Sequence, residues 1–179
     1  MAVQIGAKPD SGFDDPIGML KDCHRRIERF LDILHLVVRK AHNRALTTDE
    51  TRAVESALHY FRESGPRHTQ DEEQSLFPRL RAAGAADVLL KISGLERDHR
   101  AAEELHAEAA HLYCLWIAQG ALDAVQLARL QAATGELARI YSTHIALEDG
   151  IVFPRAKAIL AADDIESMAV EFRKRRELA

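Results

Sequence analysis

Two stretches of the sequence repeat one pattern of chemically active residues. The first begins with His68 and has Glu72 four residues later, and the second begins with His144 and has Glu148 four residues later. In each stretch an acidic residue and then a Phe-Pro pair follow the glutamate, and the copies are offset by 144 − 68 = 76 residues. Because residues four apart lie on one face of a helix, each copy presents an imidazole and a carboxylate together, and both are metal ligands.

A further histidine precedes each copy in an equivalent place. His24 lies within Asp-Cys-His-Arg at residues 22–25, and His99 lies within Asp-His-Arg at residues 98–100. These two histidines are offset by 99 − 24 = 75 residues, close to the offset of the His-x-x-x-Glu stretches. The chain therefore contains two copies of one unit, which together supply four histidines and two glutamates.

Helices are the elements that must position these residues. Apolar residues recur every three or four positions along four long segments, as in amphipathic helices that face a core. An acidic residue before Pro16 predicts the first helix start, the Thr47–Glu50 capping box predicts the second, and Asp123 predicts a later one. Asp163 begins a short final segment, and no strand-like alternation appears. We predict an all-α fold, an up-down-up-down four-helix bundle with a short C-terminal fifth helix.

The spacing of the histidines agrees with such a bundle. Residues at one level on consecutive helices should lie equally far from the turn that joins them. Halfway between consecutive histidines of the set lie residues 46, 83–84 and 121–122, which are also the turns indicated by local composition. We therefore expect all four histidines to lie near one cross-section of the bundle.

Composition limits the classes of protein to consider. The chain has 179 residues and a formal net charge of −4, so it lacks the basic footprint of a nucleic-acid-binding protein. We predict a flexible N-terminal tail at residues 1–13 and one domain at residues 14–179. No apolar run is long enough to span a membrane, and no signal-peptide pattern appears. With only Cys23 and Cys114, a disulfide scaffold is excluded, and we expect a reduced, cytoplasmic protein.

The chemistry of a core that contains two glutamates points to metal. Burying two carboxylates without partners is very costly, and a metal pair bridged by them removes that cost. Imidazole and carboxylate together suit iron, with manganese, zinc and nickel as alternatives. A lone histidine on an apolar face is more often a packed core residue, and a single His-x-x-x-Glu is often a surface pair. Four histidines at one level, in a repeat, favour the metal site.

These residues resemble the motifs of the hemerythrin-like, or HHE cation-binding, domain family. The resemblance spans residues 14–178 and includes Asp-Pro-Ile-Gly at residues 15–18 and the Phe-Pro after each glutamate. It implies a non-heme di-iron centre in a four-helix bundle, with two iron ions, two bridging carboxylates and an oxo or hydroxo bridge. The metal ligands that it implies are His24, His68, Glu72, His99, His144 and Glu148.

One position departs from the oxygen-carrying members of that family. Those members have five histidines, with His-x-x-x-His on the third helix, whereas this chain has Glu103 at the second of these positions. Four histidines and two glutamates instead resemble the di-iron domain of the repair-of-iron-centres proteins, which are linked with nitric oxide and oxidative stress.

Three further residues are candidates to act beside the metals. Glu28 and Glu103 each follow a ligand histidine by four residues. Each is a candidate for a further ligand, for an acid that orients an imidazole, or for a flanking charge paired with arginine. Tyr141 precedes His144 by one turn, where it would either hydrogen-bond a ligand on iron or pack in the core. Gly65 holds the matching place in the first copy, which leaves space beside the site.

One histidine on the inner stripe is not expected to reach the metals. His106 lies seven residues beyond His99, which is about 10 Å along the helix axis. Cys23 and Cys114 are likewise too far apart along their helices to form a disulfide.

The leading hypothesis is a di-iron protein that binds or reacts with dioxygen, nitric oxide or peroxide under oxidative or nitrosative stress. Whether it is an enzyme stays open, and a di-iron oxidoreductase that reduces peroxide or nitric oxide is the form that such an enzyme would take. The alternative is a non-catalytic module that binds or donates iron, in iron homeostasis or iron-sulfur repair. The expected partners are small diatomic ligands or peroxide, with no nucleic acid and no membrane, and the oligomeric state is left open.

Overall fold

The computed structural model describes residues 10–177, and every regular element in that range is helical. The helical segments join into five rods, so the all-α fold class is confirmed for the described residues. None of the helices in this range is both long enough and apolar enough to cross a membrane. Residues 1–9, most of the predicted tail, lie outside the described residues. The flexible tail and the single domain at residues 14–179 therefore stay predictions.

The first rod is helix α1 (Pro16–Lys40), and its start follows from local chemistry. The Asp15 side chain accepts a hydrogen bond from the Gly18 backbone N–H at 2.9 Å, which satisfies a free donor of the first turn. Pro16 lies where a missing N–H breaks no intrahelical bond. The helix start predicted from these residues is confirmed.

The second rod is interrupted and then widened. Its segments are α2 (Thr48–Glu63), α3 (Gly65–Asp71), a first π-helical turn (Glu72–Leu76) and α4 (Phe77–Ala82). A complete capping box between Thr47 and Glu50 starts α2, as predicted. The α-helix is interrupted at Ser64, because Pro66 cannot donate a hydrogen bond back to residue 62.

The other three rods complete the chain. They contain α5 (Ala86–Gln119), α6 (Ala124–Leu147), a second π-helical turn (Glu148–Val152), α7 (Phe153–Ile159) and α8 (Ala162–Glu177). Helix α5 ends at Gly120, whose φ of 79° is left-handed and costs glycine no Cβ clash. A capping box between Asp123 and Gln126 starts α6. The connections between the first four rods contain the three predicted turn positions.

Each π-helical turn lies between a repeat glutamate and its Phe-Pro pair. The N–H of Phe77 donates to the Glu72 carbonyl, five residues back rather than four, and the N–H of Phe153 does the same to Glu148. The proline after each phenylalanine has no N–H, and its ring would clash with the carbonyl four residues before it in an α-helix. A wider turn relieves that clash. The sequence pattern alone did not indicate these turns.

The rods pack in a ring around the core. Helix α1 contacts α2 and α6, and α5 contacts the same two helices from the other side. The Tyr113 hydroxyl donates to the Leu34 carbonyl at 2.6 Å, which joins α5 to α1 across the core. The Trp116 indole N–H donates to the carbonyl of Arg44, in the connection between α1 and α2, at 2.9 Å. These bonds satisfy the polar atoms of two large buried side chains.

Helix α8 is anchored on the rod that carries His68 and Glu72. The Asp71 carboxylate is buried, and it accepts hydrogen bonds from Arg175 and Arg176 at 2.7 Å each. Burial raises the pKa of Asp71, although the two guanidinium groups oppose that rise. Removing these partners would leave an uncompensated buried charge, so the ion pairs hold α8 over α3.

Buried apolar side chains form two clusters on opposite sides of the histidine level. The cluster nearer the α1–α2 and α5–α6 connections includes Leu34, Val54, Tyr113, Trp116 and Leu137. The cluster nearer α4, α7 and α8 includes Leu20, Phe77, Leu95, Phe153 and Phe172. Each fully buried side chain of this size contributes roughly 1.5–3 kcal/mol. The polar layer between the clusters is therefore held from both sides.

Candidate metal centre

The six predicted ligands come together in the polar layer between the two apolar clusters. They form two groups, each with two histidines and both glutamates, and within each group the ligand atoms lie within 4.8 Å of one another. The first group is His24, His68, Glu72 and Glu148, and the second is Glu72, His99, His144 and Glu148. The repeat therefore produces two half-sites that share both carboxylates.

The two oxygens of Glu72 face different half-sites. Its Oε1 lies 3.5 Å from Nε2 of His68 on the same rod and 3.9 Å from Nε2 of His24. Its Oε2 lies 3.2 Å from Nε2 of His99 in the other half-site. A carboxylate placed in this way can give one oxygen to each of two cations.

Glu148 is shared in a similar way. Its Oε2 lies 3.1 Å from Nε2 of His144, four residues earlier on the same rod, and 3.1 Å from Nε2 of His24. His144 and His24 belong to different half-sites, so this carboxylate also connects the two. Both glutamates are completely buried, with exposed fractions of 0%.

The buried atoms that face the centre fit a cation. The Nε2 atoms of His24, His99 and His144 make no aligned hydrogen bond with the described residues. The same holds for all four oxygens of Glu72 and Glu148. Burying ionised carboxylates without hydrogen bonds or partners costs several kcal/mol each. Nitrogen and oxygen atoms aimed at one small volume suit a transition metal, which would satisfy these groups together.

The electrostatics favour positive charge at the centre. Burial acts to lower the pKa of His24, but the hydrogen bond to Asp149 and the nearby Glu148 outweigh it and raise the pKa to about 12. Burial likewise opposes protonation of His99, yet the carboxylates beside it raise its pKa to about 9. Burial acts to raise the pKa of Glu72, but the surrounding histidines hold it well below its usual range. Without metal the layer would therefore retain protons, which a bound cation would displace.

Acidic residues outside the six orient two of the histidines. The Nδ1 of His24 lies 3.1 Å from the Asp149 carboxylate, and the Nδ1 of His99 lies 2.8 Å from the Glu73 carboxylate. Such contacts fix the ring so that Nε2 points at the metal. Glu73 and Asp149 are the acids that directly follow the two repeat glutamates. The repeated acid was visible in the sequence, but its role was missed.

The remaining two histidines differ from each other. The Nδ1 of His144 lies 3.4 Å from the Asp98 carboxylate, whereas the Nδ1 of His68 has no hydrogen-bond partner among the described residues. Burial lowers the pKa of His68 to about 4, while nearby carboxylates overcome burial and raise the pKa of His144. Asp98 directly precedes His99, and the residue that directly precedes His24 is Cys23. The first copy therefore has no acid at the place that Asp98 holds in the second.

The three additional candidates lie outside the two half-sites. Glu28 and Glu103 are exposed and belong to neither group, so their predicted roles beside the metals stay predictions. The Tyr141 hydroxyl lies 3.1 Å from Nε2 of His106, and its ring centroid is 6.2 Å from that of His144. Tyr141 thus forms a hydrogen bond with His106, the histidine whose spacing along α5 placed it too far from the metals to be a ligand. Cys23 and Cys114 are free thiols.

A comparison with known proteins matches the part of the chain that contains these half-sites. A family model described as the hemerythrin HHE cation binding domain matches residues 15–156, which include all six residues of the half-sites. An uncharacterized protein of Haemophilus influenzae is 29% identical to the chain over 175 residues. That alignment covers 93% of this chain and 92% of the relative.

Proposed function

The chain belongs to the hemerythrin HHE cation binding domain family, and from that premise we propose that it is a non-heme di-iron protein. Its proposed role is to react with dioxygen, nitric oxide or peroxide in the response to oxidative or nitrosative stress. The observation that carries the proposal is the pair of half-sites that share Glu72 and Glu148. Two carboxylates placed between two pairs of histidines suit two cations better than one, since each has two ligand oxygens.

The ligand set favours iron among the available metals. Imidazole nitrogen and carboxylate oxygen are of intermediate softness, which suits iron, manganese, zinc and nickel more than copper(I) or calcium. A di-iron centre, when bound, supplies redox chemistry with small oxygen and nitrogen ligands. The residues of this chain contribute a dry, rigid layer, because both glutamates are fully buried and three histidines have carboxylates beside Nδ1.

The number of ligands supports a reaction rather than reversible oxygen carriage. Each half-site contains four residues, and neither Glu28 nor Glu103 joins them. Metals that prefer six ligands would then keep positions for small molecules. The two anionic carboxylates that the half-sites share would stabilise an oxidised, more highly charged metal pair, and the chain lacks the fifth histidine of the oxygen carriers. We therefore infer that oxygen oxidises the reduced protein and that nitric oxide or peroxide also reacts at the centre. If the protein is an enzyme, the reaction that it catalyses is the reduction of peroxide or of nitric oxide.

The proposal also includes the arrangement and location of the chain. We take the first four rods as an up-down-up-down four-helix bundle and α8 as the short fifth helix, which the ring of contacts among α1, α2, α5 and α6 supports. We place the protein in the cytoplasm, since the two cysteines are free thiols and the fold uses no disulfide among its described residues.

The alternative, a module that donates iron, is less well supported by the site. An ion that is to be donated must leave its ligands easily, whereas Glu72 and Glu148 are fully buried between two apolar clusters. Transfer of iron from the loaded protein to a chelator separates the two functions. Slow transfer, over hours, fits a resident centre, and transfer within seconds would favour donation.

The direct test combines metal analysis with anaerobic mixing. We expect two iron ions per chain after expression in iron-rich medium. When the chemically reduced protein meets oxygen, the absorption of the oxidised centre should appear and should not disappear under argon. Glu103→His should behave like the wild type, because Glu103 is exposed. One iron or none would contradict the di-iron proposal, and an oxygenated colour that argon reverses would show a carrier instead.

A further inference from the structure

A cleft lies beside the metal centre, between the α2–α3 rod and α5. Its volume is about 490 Å³, and it is lined on its inner part by apolar side chains that include Leu34, Leu58 and Phe61. Exposed residues such as Gln70 and Arg100 line its outer part, so it opens to the surface. Binding sites for small organic molecules are typically clefts of roughly 300–1,000 Å³ with mostly apolar walls.

A glycine keeps this cleft open. Gly65 lines the cleft, and a Cβ atom built on it would meet no heavy atom within 4 Å. The matching place in the second copy of the repeat is held by Tyr141, one turn before His144, and Tyr141 lines the same cleft. The absence of a side chain at residue 65 therefore leaves this part of the cleft open.

The inner end of the cleft carries polar atoms on aromatic rings. His106 and Tyr141 both line it, and Nε2 of His106 lies 3.1 Å from the Tyr141 hydroxyl. The His106 ring stacks on Phe61 with centroids 4.2 Å apart, which fixes its orientation. The structure gives Nδ1 of His106 no hydrogen-bond partner among the described residues. Burial lowers the pKa of His106 to about 4, so the ring is uncharged at neutral pH.

We propose that this cleft binds a small, uncharged aromatic molecule that carries a hydroxyl group, that is, a phenol of one or two rings. The flat body would lie against Leu58 and Phe61, and the hydroxyl would hydrogen-bond at His106 and Tyr141. A neutral imidazole both donates and accepts, as does a hydroxyl, so the two are complementary without any charge. An ionised ligand would lose hydration at this apolar end without gaining an opposite charge.

The position of the cleft relates this ligand to the centre. His99, a residue of the second half-site, and Glu73, which contacts its Nδ1 at 2.8 Å, both line the cleft. A molecule bound there would lie against the outer side of a candidate metal ligand. Its binding depends on the cleft and not on which metal the centre holds, so the inference goes beyond the proposed function.

The test uses β-naphthol, a fluorescent phenol that is uncharged at pH 7, titrated into the protein as isolated. We expect saturable binding of one molecule per chain. Gly65→Leu should weaken that binding at least about tenfold, because the new side chain would occupy the cleft. Gly135→Leu is the matched control, since Gly135 is also helical and half-buried with no heavy atom near an added Cβ. Its affinity should equal that of the wild type.

A second comparison tests the hydrogen bond and does not depend on Gly65→Leu folding. The wild type should bind β-naphthol roughly three- to tenfold more tightly than naphthalene, which lacks the hydroxyl, as expected for one net hydrogen bond. His106→Phe keeps a ring beside Phe61 and should reduce that preference, because Tyr141 is then the one remaining partner of the two. The proposal is wrong if β-naphthol does not saturate, if naphthalene binds equally well to the wild type, or if Gly65→Leu folds and binds unchanged. In each of those cases the cleft is not a binding site for a phenol.

Discussion

The two copies of the repeat hold the same ligands in different surroundings. In the second copy, the Nδ1 of His144 has Asp98 at 3.4 Å, and Tyr141 lies one turn before it. In the first copy, the Nδ1 of His68 has no partner among the described residues, and Gly65 lies one turn before it. An orienting acid and a tyrosine thus distinguish the second copy from the first, and Gly65 and Tyr141 both line the cleft beside the centre.

This difference separates what a shared metal centre requires from what each half can change. The glutamates, the histidines, the π-helical turns and the acids that follow the glutamates occur in both copies. These features position ligand atoms, and both half-sites need them because they share two carboxylates. The residue one turn before the histidine and the partner of its Nδ1 lie outside the six ligands, and these positions differ between the copies.

Removing the metal should have the largest effect, because the two copies share the carboxylates that hold it. Glu72 and Glu148 would then be neutralised only by protonated histidines, and these buried ions would keep a desolvation cost of several kcal/mol without the metal bonds that offset it. Metal-free protein should therefore unfold at a much lower temperature than metal-loaded protein at pH 7. Calorimetry of both forms measures this difference. Equal melting temperatures, with metal loss verified by elemental analysis, would mean that the carboxylates are not buried as described.

A substitution of Asp98, whose place in the first copy is held by Cys23, should have the next largest effect. Asp98→Asn removes the negative charge beside Nδ1 of His144 and should weaken metal affinity roughly 10- to 100-fold. Cys23→Ser, at the matching place in the first copy, is the control and should change the affinity by less than about threefold. Competition with a metallochromic chelator gives both values. Equal losses in the two variants would show that the copies do not differ in this respect.

His106 in the cleft should make the free energy of unfolding of the wild type depend on pH more strongly than that of a variant without this histidine. The pKa of His106 in the folded protein is about 4, below its ordinary value of 6.5, so the unfolded state binds the proton more strongly. Stability from this group is present above pH 6.5 and is lost as pH falls toward 4, by at most about 1.4 kcal/mol per pH unit. Urea unfolding of the wild type and of His106→Gln at pH 7.0 and 5.5 measures the difference. Identical changes in both proteins would contradict the prediction.

The tyrosine that distinguishes the second copy should have the smallest effect when only its hydroxyl is removed. Tyr141→Phe keeps the ring but loses the hydrogen bond to His106, and it should reduce the free energy of unfolding by about 1 kcal/mol. Metal content should not change, since among the described residues this hydroxyl hydrogen-bonds His106 and not a residue of the half-sites. Urea unfolding and elemental analysis measure the two quantities. A loss of metal in Tyr141→Phe would mean that the hydroxyl acts on the centre directly.

The sequence alone determined those features that depend on neighbours along the chain. A histidine and a glutamate four residues apart share a helix face whatever surrounds them, which is why both His-x-x-x-Glu stretches could be located. Capping at Thr47 and Asp123 and the interruption beside Pro66 follow from local hydrogen bonding in the same way, and the structure has all three. Because the two stretches repeat one pattern, the sequence also predicted that they form one metal site.

Only the tertiary structure decided the features that depend on residues from different helices. Asp98 on α5 contacts His144 on α6, and Glu73 on the second rod contacts His99 on α5, although neither pair has a recognisable spacing. The cleft likewise depends on how far apart α2 and α5 pack, and the meeting of His106 with Tyr141 depends on the packing of α5 against α6. Glu103 has the same helical spacing from His99 that Glu72 has from His68, yet it is exposed. Spacing fixes which face of a helix a residue occupies, but only packing against the other helices determines which faces are buried.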